Sequence, residues 1–246
     1  MQLHDLLLAL IAFGAEFIGT LSGFGSSTFF VPAALLLESA QFVLALTGIL
    51  HCFGNFWKLI LFRERFPWKT FVFLAIPSIA ATGIGAWLAP HFVTTNFRPV
   101  LGAFLIFAGL LSLFAKDRIS QLPRAVAFML SLLSGFATGL VGTGGALRGL
   151  ALGALQVPKL NFIALSSAID IGGDLLRTAL YLRSGFMNWA EWFYIPVLGF
   201  SAYLGALLGR YVLTRIAQQH FERMVALFII LSGVALLFSG TVEPVP

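Results

Sequence analysis

Charge is scarce in this sequence. Lys, Arg, Asp and Glu make up 10% of its 246 residues, where a soluble domain carries about 25%. That excludes an ordinary water-soluble globule. Cysteine is scarcer still: Cys52 stands alone, so no disulfide can form within the chain and no CxxC or Cys/His metal spacing exists. The four histidines, at 4, 51, 91 and 220, are scattered, and no HExxH or GxSxG motif accompanies them. An intramembrane enzyme would therefore lack a recognisable nucleophile–base pair or metal set. No GxxxxGK[ST] loop is present, so ATP is not the direct driver within this chain. The N-terminal MQLHDLLLALIAF has neither a basic n-region nor a small-residue cleavage site and reads as retained membrane structure. Nothing calls for a cofactor.

What is abundant is apolar: 59% of the residues are hydrophobic and the mean hydropathy is +0.95. The class this predicts is an all-α polytopic membrane protein whose first partner is the lipid bilayer. The net charge of +5 does not point to nucleic acid, because the basic residues are spread among short loops, as the positive-inside rule expects. Apolar segments run over 6–37, 40–62, 70–90, 98–115, 123–157, 160–182, 190–209 and 224–240. Six have the length of one spanning helix. The first and fifth are 32 and 35 residues long; as straight helices they would measure roughly 50 Å against a hydrocarbon core of about 30 Å. These two also contain the glycine clusters, GTLSGFGSSTFFVP at 19–32 and GLVGTGGALRG at 139–149.

The halves of the chain resemble each other at an offset of 119 residues. Leu21-Ser22-Gly23-Phe24-Gly25 falls opposite Leu140-Val141-Gly142-Thr143-Gly144, and His51, Asn55 and Lys58 fall opposite Asp170, Asp174 and Arg177. Pro77 falls opposite Pro196. An internal duplication is expected, with halves 1–118 and 119–246 forming one membrane domain. Loop charge then sets the topology. If each long segment crosses once, Lys and Arg divide seven against five between the two sides. If each doubles back as a hairpin, they divide ten against two, with 63–69, 116–124, Lys159 and 210–223 on the basic side. The second division obeys the positive-inside rule far better. It makes each half a helical hairpin with a Gly-rich break followed by three spanning helices, and the halves an inverted structural repeat. Both termini then face the periplasm.

A Gly-rich turn inside lipid frees backbone groups that must line a protein-enclosed or watery cavity. The competing reading is a Gly-kinked helix packed tightly against a neighbour with no ligand. If the turns are breaks, each begins a half-helix whose first N–H groups carry positive partial charge. Gly23, Gly25, Ser26, Ser27 and Thr28 in the first half, and Gly142, Thr143, Gly144 and Gly145 in the second, would then form an anion site. The matched triplets lie at i, i+4, i+7, within about 60° on one helix face. Charges at a helix centre cost about 2.5–3.5 kcal/mol on insertion scales, so these residues are expected to face the interior. Asn55, Arg148 and Arg177 join the substrate-binding set. Glu16, His51, Lys58, Asp170 and Asp174 form the interior charge set, with His51 and Asp170 the expected proton-sensitive pair. Plainer roles stand beside these: an Asp174–Arg177 ion pair, a Lys58 that snorkels toward a basic loop, a His51 satisfied in the interior, and an Arg148 that neutralises Asp170 or Glu16.

On the stretches GFGSSTFFVPAALLL at 23–37, GLVGTGGALRG at 139–149 and SSAIDIGGDLLR at 166–177, the chain resembles the TauE/SafE family of membrane permeases, sulfite and organosulfonate exporters and their relatives. The family commonly shows a glycine-rich turn, an apolar stretch and a proline in each half. Pro32 supplies that proline here, while Ala151 occupies the matching place in the second half. Ser26-Ser27 stand where the family often has glycines. The resemblance implies a permease for small anions, often sulfur-containing, in a bacterial inner membrane. The expected function is a secondary transporter of such an anion by alternating access at a midplane site. An anion channel is the first alternative and an intramembrane enzyme a weaker one. The expected partners are the small anionic substrate, the bilayer and a second copy of the chain in a homodimer, with no nucleic acid.

Overall fold

The computed structural model describes residues 3–23, 25–62, 66–93, 97–114, 123–157, 159–213, 215 and 218–238. All regular structure among them is helical. In chain order the helices are α1 (Leu3–Ser22), α2 (Ser27–Ala34), α3 (Ala40–Leu61), α4 (Trp68–Phe92), α5 (Phe97–Phe114), α6 (Arg124–Val141), α7 (Gly145–Ala154), α8 (Lys159–Arg183), α9 (Tyr194–Leu213) and α10 (Gln218–Phe238), with a 3₁₀ turn at Trp189–Glu191. Six stretches are long and apolar enough to cross a membrane: α1, α3, α4, α5, α6 and Trp189–Leu213. Helix α8 has 25 residues, but Asp170, Asp174 and Arg177 interrupt its apolar character. Each over-long apolar segment is split into two helices: α1 and α2, then α6 and α7.

The chain turns at these splits. Gly23 and Gly25 have φ of +73° and +83°, and Gly142, which ends α6, has φ of +82°, a region that costs an L-residue with a Cβ about 1–2 kcal/mol. Each short helix folds back onto the long one before it. A Cβ on Gly19 would lie 2.5 Å from the Ser26 nitrogen, and one on Gly144 would strike the Ser134 carbonyl oxygen. The loops at 63–65 and 115–122, which carry much of the expected basic side, lie outside the described residues, as do Met1, Gln2 and 239–246 at the termini.

Helix packing follows a pattern that survives exchange of the halves. Helix α4 packs on α6 and α9 on α1; α4 packs on α8 and α9 on α3. The remaining large contacts, α3 with α8 and α5 with α10, pair an element with its own counterpart. Where α5 crosses α10 the contact is reciprocal. A Cβ on Gly102 would lie 2.7 Å from the Gly233 carbonyl oxygen, and one on Gly233 2.6 Å from that of Gly102. Small residues permit such close crossings when hydrophobic burial in lipid cannot drive association.

The polarity runs opposite to that of a soluble protein. Trp87, Ile76, Phe200 and Leu231 are about two-thirds exposed, while Glu16, His51, Lys58, Arg148, Asp174 and Arg177 are buried. An apolar outer surface suits hydrocarbon, and the ionisable groups are kept where they can pair with one another.

Candidate functional site

The site is assembled from the two breaks and the two helices that follow them. Helix α3 presents His51, Asn55 and Lys58, and α8 presents Asp170, Asp174 and Arg177. Their spacing puts each triplet on one face, and α3 packs on α8, so the polar faces meet. The breaks meet as well. Thr28 Oγ1 from the first lies 3.1 Å from Thr143 Oγ1 of the second, and Ser27 Oγ donates to Thr143 Oγ1 at 3.4 Å.

Asp174 is the hub of the deepest network. Its Oδ1 accepts from Arg177 Nε at 2.9 Å, and its Oδ2 from Asn55 Nδ2 at 2.7 Å. His51 Nδ1 stands 3.5 Å from the same Oδ2. Arg177 also donates through Nη1 to the carbonyls of Thr138 at 3.2 Å and Gly142 at 3.1 Å. These are carbonyls at the C-terminal end of α6, which a helix leaves without intrahelical donors and with negative partial charge. Tyr181 adds a hydrogen bond to the Gly139 carbonyl. Arg177 thus ties α8 to the end of α6 while neutralising Asp174.

Above this network lies a second pair. Arg148 of α7 donates through Nη1 to Asp170 Oδ1 and through Nε to Ser166 Oγ at 2.9 Å. Gly25 sits between this arginine and His51: a Cβ there would be 3.4 Å from His51 Cε1 and 3.6 Å from Arg148 Nη2. His51 in turn accepts the Ser27 N–H through Nε2 at 2.7 Å. A nitrogen that accepts carries no hydrogen, so this bond requires the imidazole tautomer with its hydrogen on Nδ1, facing Asp174. The Ser26 hydroxyl, buried at the N-cap of α2, has no hydrogen-bond partner among the described residues.

The donor atoms of His51, Asp170 and Asp174 lie within 4.8 Å of one another. Both carboxylates are already paired with arginine, so the cluster is charge-balanced without a cation. Glu16 and Lys58 form a further buried pair between α1 and α3, with Nζ 2.9 Å from Oε1. The Glu16 carboxylate lies flat against Gly54, where a Cβ would come within 2.5 Å of it.

A family model described as sulfite exporter TauE/SafE matches residues 8–236, nearly the whole chain. The chain belongs to the TauE/SafE family. No curated protein is detectably similar to it. As a TauE/SafE protein with six apolar helices of spanning length among its described residues, it is a multi-pass membrane protein of a transport family.

Not every glycine of the TauE/SafE breaks faces the site. Gly25 does; Gly23 abuts Phe162, Gly142 abuts Leu44, and Gly144 faces Ser134 and Thr138. Sequence reasoning missed four residues that join this candidate site. Ser134 donates to the Gly144 carbonyl at 2.8 Å, Ser166 and the Thr138 carbonyl hold Arg148 and Arg177, and Tyr181 bonds the Gly139 carbonyl beside them. The signal for two of them was present: Ser166, Asp170, Asp174, Arg177 and Tyr181 fall at i, i+4, i+8, i+11 and i+15, one polar stripe along α8. Lys58 does not snorkel. It is 4% exposed and paired.

Proposed function

We propose that the protein is a secondary transporter that carries a small anion, best fitted by sulfite or a sulfonate, by alternating access at a site between the two breaks. The observation that carries this reading is the meeting of the breaks, with Ser27 and Thr28 against Thr143 and the Arg148 guanidinium beside Gly25. Backbone amides, hydroxyls and a planar guanidinium are the donors that oxyanions select. Membership of the TauE/SafE family supports the substrate class.

The exchange symmetry of the helix contacts supports a two-fold relation between halves 1–118 and 119–246. With three net crossings per half, that relation is an inverted repeat whose hairpins enter from opposite faces of a bacterial inner membrane, with both termini in the periplasm. Alternating access then follows from rocking one half against the other around the breaks. Gly25, Ser26, Ser27, Thr28, Thr143 and Arg148 contact the anion. Gly142 and Asn55 act indirectly, by holding Arg177 and Asp174.

Purified protein screened by thermal shift against sulfite, thiosulfate, sulfoacetate, taurine, acetate and phosphate tests the reading. A ligand that binds only the folded state at 100 times its Kd stabilises by about 2.7 kcal/mol, which a melting curve resolves. A selective shift with a sulfur oxyanion, followed by saturable flux of that anion into proteoliposomes, is the expected result. A flat screen together with no flux would remove the transporter reading.

A further inference from the structure

The hydrogen bond between Ser27 N–H and His51 Nε2 occupies the donor that an anion at the first break would use. The first amide of α2 is therefore held by an imidazole from α3. This bond exists only while Nε2 is unprotonated. A proton on Nε2 turns the acceptor into a donor, and two donors cannot share a hydrogen bond.

The charges facing His51 make that proton acceptable. From α8, Asp174 Oδ2 stands 3.5 Å from Nδ1, and Asp170 lies within the same 4.8 Å cluster. Arg177 and Arg148 balance these two carboxylates. From α2, Ser27 offers its amide, and in the turn before it a Cβ on Gly25 would lie 3.4 Å from His51 Cε1. Further along α3, Lys58 is balanced by Glu16 of α1. With His51 neutral, the three cations and three anions of this interior set sum to zero. An anion entering such a set alone would leave a net buried negative charge, which is costly. One proton taken up at His51 cancels it for a monoanion.

We propose that His51 is the proton-binding site of this transporter, and that its protonation releases the Ser27 amide so that proton and substrate anion bind together. This rests on the reading of the breaks as the anion site. The Ser26 hydroxyl, buried at the same N-cap and without a partner among the described residues, is a second donor that the anion would reach. The proton goes to Nε2 and the Ser27 N–H turns from the imidazole to the anion. The imidazolium keeps its Nδ1–H toward Asp174. The coupled species is then neutral for a monoanion, and transport of a dianion with one proton would carry net charge.

His51→Gln separates the roles, because the glutamine carbonyl can accept the Ser27 N–H but does not take a proton in this range. Two measurements on protein in nanodiscs test the proposal. Nitrogen NMR of ¹⁵N-histidine-labelled protein, assigned by difference with His51→Gln, should show Nε2 of His51 as an unprotonated acceptor while no anion is bound. Calorimetric titration with thiosulfate, in buffers of different ionisation enthalpy, should show one proton taken up per anion bound. The wild-type Kd should rise about tenfold per pH unit wherever binding takes up one proton, and His51→Gln should bind more weakly with neither proton uptake nor this slope. Thiosulfate binding with equal proton uptake in wild type and His51→Gln would overturn the proposal. So would binding with no proton uptake in wild type, which leaves the anion site standing. If neither thiosulfate nor any other anion of the screen binds, the site reading falls and this proposal with it, and the NMR result then reports only on the His51 tautomer.

Discussion

Asn55 Nδ2 donates to Asp174 Oδ2 at 2.7 Å, and the two residues are 119 positions apart, the offset at which the halves of the sequence align. Under the two-fold relation proposed for the halves, residues in matching places touch only near the relating axis, which would then run between α3 and α8. Asp174 also carries the charge that Arg177 needs. Asp174→Asn should cost about 3–5 kcal/mol, the usual effect of leaving a buried charge without its partner. Adding Arg177→Gln should restore part of that loss, whereas two independent defects would add. Denaturant unfolding of the single and double variants in detergent measures the coupling, and strict additivity would count against the pair as drawn.

Arg148 bonds Asp170 and Ser166 together, and a lysine can satisfy only part of that arrangement. Arg148→Lys keeps the charge beside Asp170 but loses the Nε–Ser166 bond and the planar fork. Folded yield should be near wild type while the KM for anion flux rises at least about tenfold, equivalent to about 1.4 kcal/mol. Arg148→Ala should be unstable, because it leaves Asp170 buried and unpaired, and Asp170→Asn in the same chain should recover much of the stability without recovering transport. Melting temperatures and proteoliposome flux for the three variants separate the structural from the binding role. Unchanged KM in Arg148→Lys would exclude a contact between Arg148 and substrate.

The breaks were legible because glycine clusters stood inside apolar runs too long to cross the bilayer once. The triplets were legible because charge at helical spacing in an apolar segment has few places to go. Their partners were less so. Spacing along α8 put Asp174 and Arg177 on one face, but whether Arg148 would neutralise Asp170 or Glu16 depended on how α7 lies against α8, which no local pattern encodes. The structure pairs it with Asp170 and gives Glu16 to Lys58. The turn and the 119-residue offset group Gly23 and Gly144 with Gly25 in the sequence. Only packing distinguishes the one that faces His51 and Arg148 from those that face Phe162 and Ser134.

The ten-to-two division of loop charge predicts that Ser120 and Val245 lie on opposite sides of the membrane. Both lie outside the described residues, so labelling must supply the answer. In a Cys52→Ser background, which preserves a hydroxyl beside Thr178 in place of the thiol 3.8 Å away, a cysteine at position 245 should react with an impermeant maleimide in intact cells. One at position 120 should react only after the membrane is opened. Labelling of both from one side would break the inverted repeat.

Two glycines at the breaks should respond to alanine in opposite ways. At Gly144 the new Cβ would run into the Ser134 carbonyl oxygen, whose own hydroxyl already donates to the Gly144 carbonyl. Backbone cannot yield as a side chain can, so Gly144→Ala should lose stability, and Gly144→Val more. The loss of transport in either would then be a folding defect, not a blocked substrate. At Gly25 the nearest atoms to the Cβ would be those of side chains, His51 Cε1 at 3.4 Å and Arg148 Nη2 at 3.6 Å, ordinary contact distances. The positive φ still costs about 1–2 kcal/mol, which a packed membrane domain can tolerate. The methyl would project between the two side chains proposed to flank the anion. Gly25→Ala should therefore remain folded and monodisperse while its anion flux falls at least about tenfold. Size-exclusion profiles and melting curves, read beside flux, distinguish the two cases. A folded Gly25→Ala protein with wild-type flux would move the anion site away from the first break.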